Sequence, residues 1–118
     1  MAFPCNQFGK QEPGTDAEIL AFARSHGFPD PTHTAGFRMF AKTHVNGPET
    51  VPVWSFLKNS EVGKGHEIRW NYAKFLIGAN GVPLKKYEAP FDLKKIARDV
   101  EDALQALSDV RAEYDSGF

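Results

Sequence analysis

Apolar positions along the chain change their spacing several times, and each change marks an element. Ile19, Leu20, Phe22 and Ala23 share one face of a helix. Thr15-Asp16-Ala17-Glu18 stands at its start in the S/T-x-x-E form of a capping box, and Gly27, Pro29 and Pro31 close it into a polar loop. Val53, Trp54, Phe56 and Leu57 predict a second, shorter helix. Behind Asp92, a capping residue, Leu93, Ile96, Val100, Ala103, Leu104 and Leu107 keep a helical period to a frayed tail at 115–117. Between the helices the pattern is extended. Residues 1–3 and Phe37–Ala41 predict short strands, as do Ile68–Asn71 and Lys74–Ile77. Gly78-Ala79-Asn80-Gly81 predicts a hairpin turn with Val82–Tyr87 as its return strand. Residues 4–14, Val45–Pro48 and 58–66 carry the Pro, Gly and polar residues of loops.

The order is strand, helix, strand, helix, hairpin, helix. It predicts an α/β fold, a mixed sheet with helices on its faces, in one domain spanning 1–118. The first strand is expected to begin inside itself, with no earlier strand to pair with.

Composition narrows the function classes. Fourteen basic and fifteen acidic residues give a net charge of -1. That balance argues against a nucleic-acid partner, which needs a basic excess. No apolar run reaches spanning length, and no signal-peptide pattern opens the chain. The single cysteine, Cys5, excludes an intramolecular disulfide and points to a reducing compartment such as the cytoplasm.

Few residues carry chemistry by type. Cys5 follows a proline, with no helix starting directly after it, so the ordinary reading is a small, semi-buried thiol. The histidines at 26, 33, 44 and 66 match no metal-ligand spacing, and no metal or cofactor is expected. Lys85-Lys86 and Lys94-Lys95 read as a solvated basic face. Asn6, Gln7, Trp70 and Asn71 are neutral donors, of the type that hydrogen-bonds a thiolate or selenolate. Singly, Gln7 reads as a turn residue and Trp70 as a core aromatic.

Phe3–Gly9 reads FPCNQFG, followed by Gln11-Glu12-Pro13-Gly14. This resembles the glutathione peroxidase signature, which is similar to FPCNQFGxQEPG. Later stretches agree in order. Glu18-Ile19 with Phe22 resembles the family's next helix. Phe40-Ala41-Lys42 with Val45-Asn46-Gly47 is similar to FxKxxVNG. Leu57-Lys58 and Ile68–Leu76 resemble its LK and IxWNFxKFL segments, and Gly81–Tyr87 its return strand. The resemblance spans about residues 2–107.

It implies a thioredoxin-like fold, here incomplete and lacking the first strand and first helix. It implies reduction of hydrogen peroxide or organic hydroperoxides by a cysteine or selenocysteine, which thiols then restore. Gln7, Trp70 and Asn71 match the family residues that hydrogen-bond the reactive sulfur or selenium. Two departures accompany the match. The family's nucleophile lies upstream of FPCNQFG, in a motif similar to NVAS-(Cys/Sec)-G that this chain does not contain, and Cys5 matches a non-catalytic cysteine. The resolving cysteine of thioredoxin-dependent members would fall near Arg24, where none stands, which favours glutathione over thioredoxin as reductant. The short stretch between Leu57 and Ile68 resembles compact, monomeric members. Two alternatives stay open: a scaffold that lost catalysis and became a binding or regulatory module, and a protein in which Cys5 is the nucleophile.

Overall fold

The computed structural model describes residues 1–30 and 36–117; Pro31, His33 and the loop predicted there lie outside the described residues. The first helix, α1 (Asp16–Ser25), begins where the capping box predicts it. Thr15 Oγ1 accepts the Glu18 N–H at 3.3 Å, and Glu18 Oε2 accepts the Thr15 N–H at 2.9 Å. Ile19 and Ala23 are buried on its inner face. Gly27, at φ 86°, turns the chain away from it in a conformation that suits glycine.

The strands predicted on either side of α1 shrink to a single parallel bridge between Ala2 and Met39. The Ala2 N–H donates to Arg38 O at 2.8 Å, and the Phe40 N–H donates to Ala2 O at 2.9 Å. Lys42 secures the crossover. Its backbone N–H donates to Asp16 Oδ1 at 2.8 Å, and its Nζ to the carbonyls of Gly14 at 2.8 Å and Glu12 at 3.2 Å.

The helix α2 (Pro52–Asn59) opens with proline at its first turn, where a missing N–H costs nothing. Gly63 then lies so close to the Leu57 and Lys58 carbonyls that a Cβ there would collide with backbone. The hairpin follows as predicted: β1 (Lys74–Ile77) pairs antiparallel with β2 (Pro83–Tyr87), with an irregularity between Leu76 and Ile77. Gly81 takes φ 84° in its turn. The structure corrects the neighbouring extended segment. Ile68–Asn71 forms no strand; it runs into a turn at Trp70–Tyr72, with Tyr72 at φ 64°.

The last helix, α3 (Leu93–Ser116), is capped by Asp92 Oδ1, which accepts the Lys95 N–H at 3.1 Å. It continues through the tail predicted to fray, because the Gly117 N–H donates back to Glu113 O at 3.1 Å. No residue of α3 is buried. Its apolar stripe, Leu93, Val100, Leu104, Leu107, Val110 and Tyr114, is exposed. A direct tie to the hairpin is the Tyr87 hydroxyl, which donates to Asp99 Oδ2 at 2.7 Å. Burial and that adjacent carboxylate push the Tyr87 phenol up to about 12.

The core is small: Phe8, Val45, Trp54, Leu57 and Ile68, with Phe3, Cys5, Val51, Val53, Ala73 and Phe75 against it. Trp54 meets Phe3 edge-on at 5.8 Å and Phe75 at 5.9 Å. Its buried indole N–H has no acceptor among the described residues. Instead of one mixed sheet, the described residues form a two-stranded hairpin and isolated bridges. No helix among them is long and apolar enough to cross a membrane.

Candidate functional site

The site grows from the loop between Ala2 and α1. Asn6 Oδ1 accepts the Glu12 N–H at 2.9 Å and closes the loop on itself. Gly9 and Lys10 turn it through φ 68° and 53°. Phe8 points into the core, and Gln7 points the other way, toward 44–46.

Gln7 is held on both sides of its amide. Oε1 accepts the Val45 N–H at 2.8 Å and the Asn46 N–H at 3.1 Å. Nε2 donates to Asn46 O at 2.8 Å and lies 3.4 Å from His44 Nδ1. Asn46 passes the connection on. Its Nδ2 donates to Ile68 O at 2.8 Å, and its Oδ1 accepts the Ile68 N–H at 2.9 Å. Two amide side chains thus join the first loop, the Val45–Gly47 turn and the segment entering Trp70. The buried Lys58 supports the junction, with Nζ at 3.5 Å from Asn46 Oδ1 and 3.2 Å from Glu67 Oε1.

Trp70 and Asn71 fold onto the other side of the loop. The Trp70 ring lies 5.8 Å from Phe8. Gly9 lies under the ring, where a Cβ would make ordinary contact with the indole Cη2 at 3.4 Å; its φ of 68° is what suits glycine there. Asn71 Nδ2 donates to Gln11 Oε1 at 2.7 Å. Trp70 is 51% exposed, and its indole N–H meets no acceptor among the described residues. All three sequence-predicted residues therefore border one loop. Trp70 and Asn71 share its Phe8–Gln11 side, whereas Gln7 is turned to His44–Asn46 and shares no hydrogen bond with either. Asn46 and Gln11 are the residues that sequence reasoning passes over. Asn46 reads as a turn former, and only its place in VNG hints at more.

Cys5 is half-buried against the core, with Sγ 3.5 Å from Gln7 Oε1. Nothing in that contact stabilises a thiolate, because a carbonyl oxygen only accepts. Of the histidines, His26 Nδ1 lies 3.0 Å from Phe22 O, and His66 lines a shallow depression with Glu67, Arg69, Lys86 and Glu88. No three metal-ligating side chains cluster among the described residues. The depression is internally paired: Arg69 Nε donates to Glu88 Oε2 at 2.8 Å, and Lys86 Nζ is 3.5 Å from Glu88 Oε1. Burial alone would raise the Glu88 carboxyl. The Arg69 backbone N–H, Lys86 and the Arg69 guanidinium outweigh it and hold Glu88 below its ordinary value.

Comparison with known proteins bears on this loop directly. The family model described as glutathione peroxidase matches residues 1–58, which include Gln7. The chain is 42% identical over 103 residues to the phospholipid hydroperoxide glutathione peroxidase of Sus scrofa, covering 85% of this chain and 49% of that protein. It is 42% identical over 107 residues to the chloroplastic phospholipid hydroperoxide glutathione peroxidase of Pisum sativum, covering 90% and 43%. Among solved structures, T. cruzi GPX1 aligns with TM-score 0.59 and 29% identity, over 88% of this chain and 58% of that one. The chain spans about half the length of the curated relatives it matches, and its elements superpose on part of the T. cruzi GPX1 fold.

Proposed function

The chain belongs to the glutathione peroxidase family, and from that premise we propose that it is the donor-bearing part of a hydroperoxide-reducing thiol or selenol peroxidase. Trp70 carries the reading most directly. It comes from far down the chain to lie against Phe8 and Gly9, half-exposed, with an indole N–H that no group of the described protein uses. Such a donor suits an anionic sulfur or selenium at the surface of the loop. Asn71 and Gln7 flank it from the two sides of that loop.

In this reading the nucleophile is a cysteine or selenocysteine outside the 118 residues. Its anion attacks one peroxide oxygen, and the O–O bond breaks. The other oxygen leaves as alkoxide or hydroxide and takes a proton. The nucleophile becomes a sulfenic or selenenic acid, which two thiol molecules reduce back with loss of water and formation of their disulfide. Neutral donors lower the energy of the anion without quenching it by protonation. Glutathione is the reductant expected where no cysteine stands near Arg24. The names of the pig and pea relatives make phospholipid hydroperoxides the first substrates to test. A reducing compartment, the cytoplasm foremost, fits the lone half-buried thiol.

A second reading is favoured by the donors already engaged: Gln7 holds Asn46, and Asn71 holds Gln11. It is a scaffold kept for binding or regulation without catalysis. Intact-mass and peptide sequencing of the natural gene product separates the two. A product carrying an NVAS-(Cys/Sec)-G-like segment in frame supports the peroxidase. A product without any further cysteine or selenocysteine removes it and leaves the scaffold.

A further inference from the structure

We propose that His44 is a positioning residue that controls, through its protonation, whether Gln7 has an N–H free to donate at the site. The inference rests on the reading of Gln7 as a site donor. It concerns a residue to which neither the motif nor the family match assigns a role.

The geometry fixes the orientation of the Gln7 amide. Two backbone N–H groups, from Val45 and Asn46, point at one atom. Only an oxygen can receive both, so Oε1 and Nε2 cannot exchange places. One hydrogen of Nε2 is committed to Asn46 O at 2.8 Å. The second is the one N–H that Gln7 has left for another acceptor, and 3.4 Å away lies His44 Nδ1. A neutral imidazole with an unprotonated Nδ1 accepts it. The imidazolium cannot, because both of its ring nitrogens are donors. The charged ring has another partner at hand: Glu49 Oε2 lies 3.6 Å from the same Nδ1. Protonation therefore exchanges Gln7 for Glu49 at one ring atom and leaves the second Gln7 N–H free. The length of the Gln7–His44 contact makes the exchange easy, since a bond of 3.4 Å is already near its limit.

The other groups near this junction do not make the same exchange. The Cys5 thiol faces Gln7 Oε1, and the Lys58 ammonium faces Asn46 Oδ1 and is itself paired with Glu67. Among the described residues, Glu49 is the charged group within ion-pair reach of the His44 ring.

The test is a nitrogen-15 NMR titration of the 118-residue chain, with the Gln7 side-chain amide assigned by its loss in Gln7→Glu. One of its two protons is expected to shift with pH, at the midpoint of the His44 ring protons in the same sample. The proton held by Asn46 O is expected to stay still. His44→Phe abolishes the shift. His44→Asn, which keeps a polar, non-titrating side chain, also leaves it flat and serves if the phenylalanine disrupts the loop. Two results would overturn the proposal: Gln7 protons that stay still while His44 titrates, or a shift that survives in His44→Phe. A natural product without peroxidase activity would remove the functional reading and leave this titration intact, so the two can fail separately.

Discussion

The Asn71 amide donates to Gln11 Oε1 at 2.7 Å, joining two side chains 60 positions apart. The bond pins the Trp70 turn to the first loop. Asn71→Ala and Gln11→Ala are each expected to lower stability by about 1 kcal/mol. Because both remove one bond, the double variant is expected to lose little more than either single one, a coupling of roughly 1 kcal/mol. Urea titrations of the four proteins measure it. In a Trp54→Phe background, the Trp70 emission is expected to shift to the red in Asn71→Ala as the turn loosens. Additive losses would show that the contact carries no coupling.

Asn46 holds more of the structure than Gln7 does. Its amide satisfies both the N–H and the C=O of Ile68 in a partly buried setting, whereas Gln7 is exposed. Asn46→Ala is expected to cost about 2–3 kcal/mol and Gln7→Ala about 1 kcal/mol. Thermal melts compared in one buffer decide the order, and a reversed order would contradict this account of the junction.

The same amide explains what the sequence left unreadable. Ile68–Asn71 has the composition of a strand, yet the backbone groups of Ile68 that would pair in a sheet are taken by the side chain of Asn46, 22 residues earlier. No local pattern encodes that. Elements whose determinants lie within a few residues were legible: the Thr15–Glu18 capping box, the Asp92 cap, proline at the start of α2 and the Asn80-Gly81 turn. The strands at 1–3 and 37–41 contract to one bridge, because a strand needs partners as well as pattern. At the candidate site, the motifs were legible as strings and the pairing of their side chains was not. FPCNQFG and Trp70-Asn71 stand out as strings, whereas the turning of Gln7 toward His44–Asn46 depends on the fold of the intervening chain.

Tyr87 gives the chain an alkaline dependence. Its phenol is raised to about 12 by burial and by Asp99. A raised pKa favours the neutral form in the folded state. Its contribution is therefore complete below the unfolded value of about 10 and lost as pH rises through about 12. Tyr87→Phe is expected to remove that alkaline step and to cost about 1 kcal/mol at neutral pH by freeing Asp99. Circular dichroism melts across the alkaline range test it. A step that persists in Tyr87→Phe would assign it elsewhere.

The exposed stripe of α3 carries a different expectation. Leu104 and Leu107 are 61% and 48% exposed on a helix with no buried residue. Leu104→Glu with Leu107→Lys is expected to change stability by less than about 1 kcal/mol. It should also reduce binding of an apolar-surface dye and any concentration-dependent sedimentation. A large loss of stability would mean that these leucines are covered in solution.

The most direct test of the proposed site is hydroperoxide consumption by the natural gene product in a glutathione-coupled assay, wild type against Trp70→Phe. Phenylalanine keeps the ring against Phe8 and removes the indole N–H. If that N–H stabilises the reacting anion, turnover falls by about 10²-fold while folding is retained. A product that consumes hydroperoxide equally well with phenylalanine at this position, or one that consumes none, would contradict the account.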